Sequence, residues 1–122
     1  MLGIKIGIIF SLLSVLIGAF GAHGLKVILT KFNTLETFQT AVRYQMFHSI
    51  ALLLSGILFQ IGMLESKLPM LLFVFGIIIF SGSLYILSIT GIKWLGAITP
   101  IGGLLFIASW ITLFISIHSS KI

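Results

Sequence analysis

The stretch LPMLLFVFGIIIFSGSLYILSI, running from Leu68 to Ile89, decides the fold. It carries no charged side chain and matches the length of about 20 helical residues that crosses a hydrocarbon core roughly 30 Å thick. Pro69 suits the first turn of such a helix, where a missing N–H costs little. Gly76, Ser83 and Thr90 recur at heptad spacing, with Ser81, Gly82 and Tyr85 among them.

Three further apolar runs lie outward of this one: Ile6–Ala22, Ala41–Ile61 and Leu95–Ile117. Of the 122 residues, 59% are hydrophobic and only 7% charged, against roughly 25% charged in soluble domains. A water-soluble fold of this size has too much surface for its volume to hide four such helices. The expected fold class is therefore all-α: a four-helix polytopic membrane bundle with short connections. Residues 1–122 are expected to form a single integral membrane domain, with no space for a soluble catalytic module.

The formal net charge of +5 comes from seven basic residues that are scattered: Lys5, Lys26, Lys31, Arg43, Lys67, Lys93 and Lys121. They form no patch interleaved with aromatics, so they read as flanks near anionic headgroups and not as a nucleic-acid surface. The absence of cysteine excludes disulfides, thiol nucleophiles and thiolate metal sites. Lys5 before an apolar run, with Ala22–His23–Gly24 after it, has a faint look of a secretory signal. The run is as long as a full span, so a retained first helix is expected.

In the first run Gly7, Ser11, Ser14, Gly18 and Gly21 follow one another at spacings of four, three, four and three. That repeat lines one side of a helix, and small residues let two backbones approach where lipid is as apolar as the helix itself. Asn33–Thr34–Leu35–Glu36 reads as a capping box, which starts the second long helix near Thr34 and carries it to about Gly62. On that helix Thr37, Ala41, Tyr44, His48, Ser55 and Gly62 share a narrow arc that should turn into the bundle. Glu36, Thr40 and Arg43 share another arc, with Arg43 snorkelling toward headgroups.

Glu65–Ser66–Lys67 and Gly91–Ile92–Lys93 read as tight turns, which makes the last three spans antiparallel neighbours. Trp94 suits an interface anchor. Pro100 admits two placements: a kink near Thr99–Pro100, or the first turn of the last helix with Leu95–Thr99 leading into it. Trp110 can pack in the bundle or face lipid, and His118–Ser119–Ser120–Lys121 reads as a solvated end. An even number of spans puts both termini on one side. The basic residues divide almost equally between the two sides, tipping only slightly toward termini outside.

The polar residues His23, Arg43, Tyr44, Gln45 and His48 gather toward one membrane face, with Tyr85 on the neighbouring span. An imidazole can relay a proton near neutrality, and Arg43 can hold a carboxylate, phosphate or lipid headgroup. These six are the candidate ligand- or headgroup-binding residues. The simpler reading is structural: His23 caps the first helix, and His48 is a neutral histidine bonded to a neighbour. Two histidines with Glu36 as the sole nearby acid are too few for zinc, and no HExxH, GxSxG or glycine-rich phosphate loop occurs. No catalytic residue, metal ligand or cofactor is assigned.

Three segments carry a resemblance: Gly18–Ala19–Phe20–Gly21–Ala22–His23–Gly24, Thr40–Ala41–Val42–Arg43–Tyr44–Gln45–Met46–Phe47–His48, and Gly96–Ala97–Ile98–Thr99–Pro100–Ile101–Gly102–Gly103. Together they resemble the DUF423 family of small membrane proteins, over essentially the whole chain. The resemblance implies a small multi-span protein of the bacterial plasma membrane and supplies no activity. Three readings of function follow. The leading one is a non-enzymatic bundle that binds membrane lipids, a second copy of itself (a homo-oligomer) or another membrane protein. A small transporter or channel subunit would place His48, Tyr85 and polar atoms of the last helix along one wet cavity. A membrane enzyme would use His23 or His48 as base, with Arg43 holding an anionic group.

Overall fold

The computed structural model describes residues 1–117, and it is all-helical with four helices long and apolar enough to cross a membrane. The expected tail at His118–Lys121 lies outside the described residues. The first span, α1, runs Leu2–Gly24, and a short helix α2 follows at Lys26–Phe32. The remaining spans contain α3 (Leu35–Gln60), α4 (Leu68–Thr90) and α5 (Thr99–Ser116). Each bonds its own backbone internally, as hydrocarbon demands.

Packing follows chain order: α1 lies against α3, α3 against α4, and α4 against α5. Burial separates the central from the outer helices, with 44% of the α3 span buried but only 11% of the α1 span. The small residues of α1 form the expected seam. A Cβ at Gly7 would stand 2.8 Å from the Leu53 backbone nitrogen, and Gly18 and Gly21 meet Val42 and Phe38. At the other contact, a Cβ at Gly102 would stand 2.5 Å from the Phe80 nitrogen, so α4 and α5 touch backbone to backbone. Such approach replaces the hydrophobic drive that lipid removes.

The capping box does not form. Asn33 adopts φ 53°, ψ 47°, and ends α2 in a Schellman motif: Thr34 N–H donates to Leu29 C=O at 2.9 Å, and Asn33 N–H to Thr30 C=O at 3.2 Å. Asparagine is among the few residues that tolerate the left-handed region, and here that role displaces capping. Thr34 takes the N-cap position, but its hydroxyl reaches across to donate to Ser88 C=O at 2.7 Å. Helix α3 still starts within a residue of the expected point.

The joint before α4 is longer than the expected turn at Glu65–Lys67. Helix α3 stops at Gln60 in a second Schellman motif, with Gly62 at φ 82° and Met63 N–H donating to Leu58 C=O at 2.9 Å. Leu64 then pairs in an isolated antiparallel bridge with Ile117. Pro100 lies in the first turn of α5, preceded by a 3-10 turn at Lys93–Ala97, so the lead-in placement holds over the kink. Trp94 is exposed on that turn. One feature escaped sequence reasoning: a π-helical turn at Ile17–Gly21 inside α1. Such turns widen a helix by one residue and are often found near functional sites.

Candidate functional site

The α3 segment from Tyr44 to Ser49 presents its polar groups to three different neighbours. Gln45 and His48 are buried, while Tyr44 is partly exposed. Gln45 Nε2 donates to the Phe10 carbonyl of α1 at 2.9 Å, and its Oε1 accepts from the Tyr85 hydroxyl of α4. The Phe10 carbonyl can only accept, so the amide must present nitrogen to α1 and oxygen to α4. Gln45 thus joins three helices. Close by, Ser81 Oγ of α4 donates to the Ala41 carbonyl at 2.8 Å.

His48 turns the other way, toward α5. Trp110 Nε1 lies 3.1 Å from His48 Nε2, and His48 Nδ1 lies 2.8 Å from the Tyr44 carbonyl. Indole N–H donates and cannot accept, so Nε2 must offer its lone pair. The proton then sits on Nδ1 and is donated to Tyr44. Both bonds together select one neutral tautomer, and both ring nitrogens are occupied. The imidazole also stacks on Phe106 with centroids 3.6 Å apart and planes 9° from parallel. Tyr44 stacks on Phe80 at 4.4 Å, and Phe73 meets Trp110 edge-on at 5.2 Å. These rings make an aromatic wall between α3, α4 and α5.

A groove of about 510 Å³ opens along this wall, lined by Tyr44, His48, Phe80, Gly103, Phe106 and Trp110 among others. Trp110 therefore packs in the bundle while keeping one edge toward the outside, 37% exposed. Tyr85 is not on this groove's lining; it bonds to Gln45, which reaches on to α1. His48 and Tyr85 thus point to different contacts.

The remaining candidates stand apart. His23 is exposed in the last turn of α1, and its side chain makes no hydrogen bond among the described residues, so it is not a cap. Arg43 is exposed on the outward side of α3 and donates to Thr40 Oγ1 at 3.3 Å. Of the six candidates, Gln45 with Tyr85 and His48 with Tyr44 are brought together; His23 and Arg43 join neither pair. The residues that sequence reasoning left out of the site are Phe10, Phe73, Phe80, Phe106 and Trp110. Only Trp110 carried a signal, as a large ring with a polar N–H in the middle of a span.

Every buried polar side chain among the described residues has a hydrogen bond. Besides Gln45 and His48, these are Thr34 and the serines at 14, 49, 55, 81, 83, 88 and 109. Most serines bond back to their own helix, as Ser55 does to Ala51 at 2.7 Å, while Ser83 also meets Thr99 Oγ1 at 2.7 Å. Among the described residues no three His, Asp or Glu side chains cluster as metal ligands would.

Comparison with known proteins bears on identity. The family described as "Protein of unknown function (DUF423)" matches residues 17–103, which include Tyr44, Gln45, His48 and Tyr85. A UPF0382 membrane protein of Staphylococcus haemolyticus is 45% identical over 113 residues, covering 93% of this chain and 92% of the relative. The UPF0382 membrane protein YwdK of Bacillus subtilis is 44% identical over 121 residues, covering 93% of each. No solved structure matches. With the family match spanning most of the chain and bacterial relatives aligned nearly end to end, this four-span membrane protein belongs to the DUF423 (UPF0382) family.

Proposed function

We propose that the protein is a non-catalytic, single-domain component of the bacterial plasma membrane that works by binding a lipid or another membrane protein on its outer faces. One observation carries this reading: among the described residues, the buried polar side chains are all hydrogen-bonded within the fold. His48, the intramembrane group best suited to proton chemistry, has both nitrogens engaged by Trp110 and Tyr44. A general base needs a nitrogen free to reach a reacting proton. A conduction path needs polar groups facing water, whereas Gln45 and Tyr85 face each other. What is left for recognition is the outer surface of the bundle, where all four spans expose large apolar side chains.

The test is extraction of the protein in polymer-bounded discs, followed by mass spectrometry of the lipids and proteins that accompany it. The reading expects a lipid class or a membrane protein enriched over the bulk membrane. Discs whose contents match the bulk membrane in both respects would refute it.

A further inference from the structure

Among the described residues, charges keep to the joints or to the ends of the spans, and Arg43 stands furthest in. Lys5, Glu36 and Lys93 each lie within a turn of a span terminus. Arg43 stands eight residues beyond Leu35, about 12 Å along α3 at about 1.5 Å per residue. It is exposed, and on its side of α3 the neighbouring side chains Met46, Phe47 and Ile50 are exposed too. The apolar run of this span begins at Ala41, so Arg43 lies just inside the headgroup end of the hydrocarbon, where a charge normally snorkels or meets a partner. Here the guanidinium turns one helical turn back, to the neutral Thr40 hydroxyl at 3.3 Å. A hydroxyl leaves the charge uncompensated and most of the five N–H donors unused.

Below Arg43, toward the middle of the bilayer, a groove of about 440 Å³ runs between α3 and α5. Its lining is Met46, Phe47, Ile50, Ala51, Leu54 and Trp110, with no charged residue. Positions 43, 46, 47, 50 and 54 follow the i+3, i+4, i+7, i+11 pattern, which keeps them on one side of the helix. A fixed cation above an apolar trough matches an amphiphile with an anionic head and a hydrocarbon tail.

We infer that this face holds an anionic phospholipid, with its phosphate on Arg43 and an acyl chain in the groove below. The inference rests on the lipid-binding half of the proposed function and gives it a site. Guanidinium can grip phosphate oxygens in a two-pronged bond, which a point charge cannot. A second copy of the chain fits less well. Its two acidic side chains, Glu36 and Glu65, lie near the ends of the spans. A lipid phosphate is tied to no helix and lies at the level the guanidinium reaches by turning back toward the headgroups.

The test is native mass spectrometry of the full chain in detergent, titrated separately with phosphatidylglycerol and with phosphatidylcholine of the same acyl chains. The expected result is preferential retention of phosphatidylglycerol. Arg43→Gln should lower that affinity about tenfold, toward the phosphatidylcholine level, and Arg43→Lys should recover part of it. Lys67→Gln, at the opposite membrane face, should change nothing. Phosphatidylglycerol retained equally by Arg43→Gln overturns the site but leaves lipid binding standing. Equal retention of both lipids by the unmodified protein overturns the role of charge, and retention of neither overturns lipid binding itself. A dimer that dissociates on Arg43→Gln assigns the face to a second copy and overturns the inference.

Discussion

Removing the Gln45 side chain should loosen three helices at once. Gln45→Leu keeps nearly the same volume but deletes both the bond to Phe10 and the bond from Tyr85. Interhelical hydrogen bonds within membranes contribute about 0.6 kcal/mol on average and about 1.7 at most, because the unfolded chain also finds partners. Loss of two such bonds predicts a destabilisation near 1 kcal/mol, with about 3 kcal/mol as the ceiling. The Phe10 carbonyl lies within α1, so its intrahelical bond limits the penalty there. The Tyr85 hydroxyl has no such reserve. Tyr85→Phe alone should cost about 0.6 kcal/mol, and the double variant should cost less than the two singles added together, since neither orphan then remains. Reversible unfolding in mixed micelles, followed by steric trapping, measures each corner of the cycle. A coupling energy of about 0.5 to 1.7 kcal/mol is expected. Strict additivity, within the roughly 0.3 kcal/mol seen for independent sites, would refute the three-helix bridge.

Other substitutions test separate parts of the fold. Gly102→Ala drives a methyl group into the Phe80 backbone at 2.5 Å and should cost about 1–3 kcal/mol. Gly103→Ala meets only Phe80 ring atoms at 3.9 Å and should be neutral or stabilising by up to about 1 kcal/mol; the same unfolding assay compares the two. Asn33→Gly should leave stability unchanged, while Asn33→Val should cost at least about 1 kcal/mol by forcing a branched residue into the left-handed region. A capping role for Asn33 would instead make Asn33→Ser neutral, where the left-handed turn makes it cost about 1 kcal/mol. Trp110→Phe should preserve the ring packing and remove the donor to His48, giving a thermal shift smaller than that of Trp110→Ala.

Spans are legible from sequence because a hydrocarbon solvent leaves little choice: runs such as Leu68–Ile89 have nowhere else to go. The glycine and serine repeat of α1 was legible for the same reason, since only close approach rewards small residues there. Asn33 misled because one residue type serves both helix starts and left-handed helix ends. Deciding between them requires knowing that α2 exists, and seven residues leave little periodic signal. The π turn at Ile17–Gly21 depends on hydrogen-bond register, which composition does not carry. At the site, Tyr44, Gln45, His48 and Tyr85 were recognisable as polar groups out of place in a membrane. Their pairing was not: Trp110 showed only a polar N–H in mid-span and Phe10 nothing, because both are brought in by packing between helices distant in sequence.

The intramembrane polar groups serve as cross-links, and His48 reports on that most directly. Nitrogen-15 NMR of the protein in lipid bilayers, with labelled histidine and a His48→Gln variant for assignment, reads the protonation of each ring nitrogen. The hydrogen bonds to Tyr44 and from Trp110 predict a neutral ring near pH 7, protonated at Nδ1 and bare at Nε2, with that signal perturbed by Trp110→Phe. A charged imidazole, or one carrying its proton on Nε2 in rapid exchange with water, would contradict it.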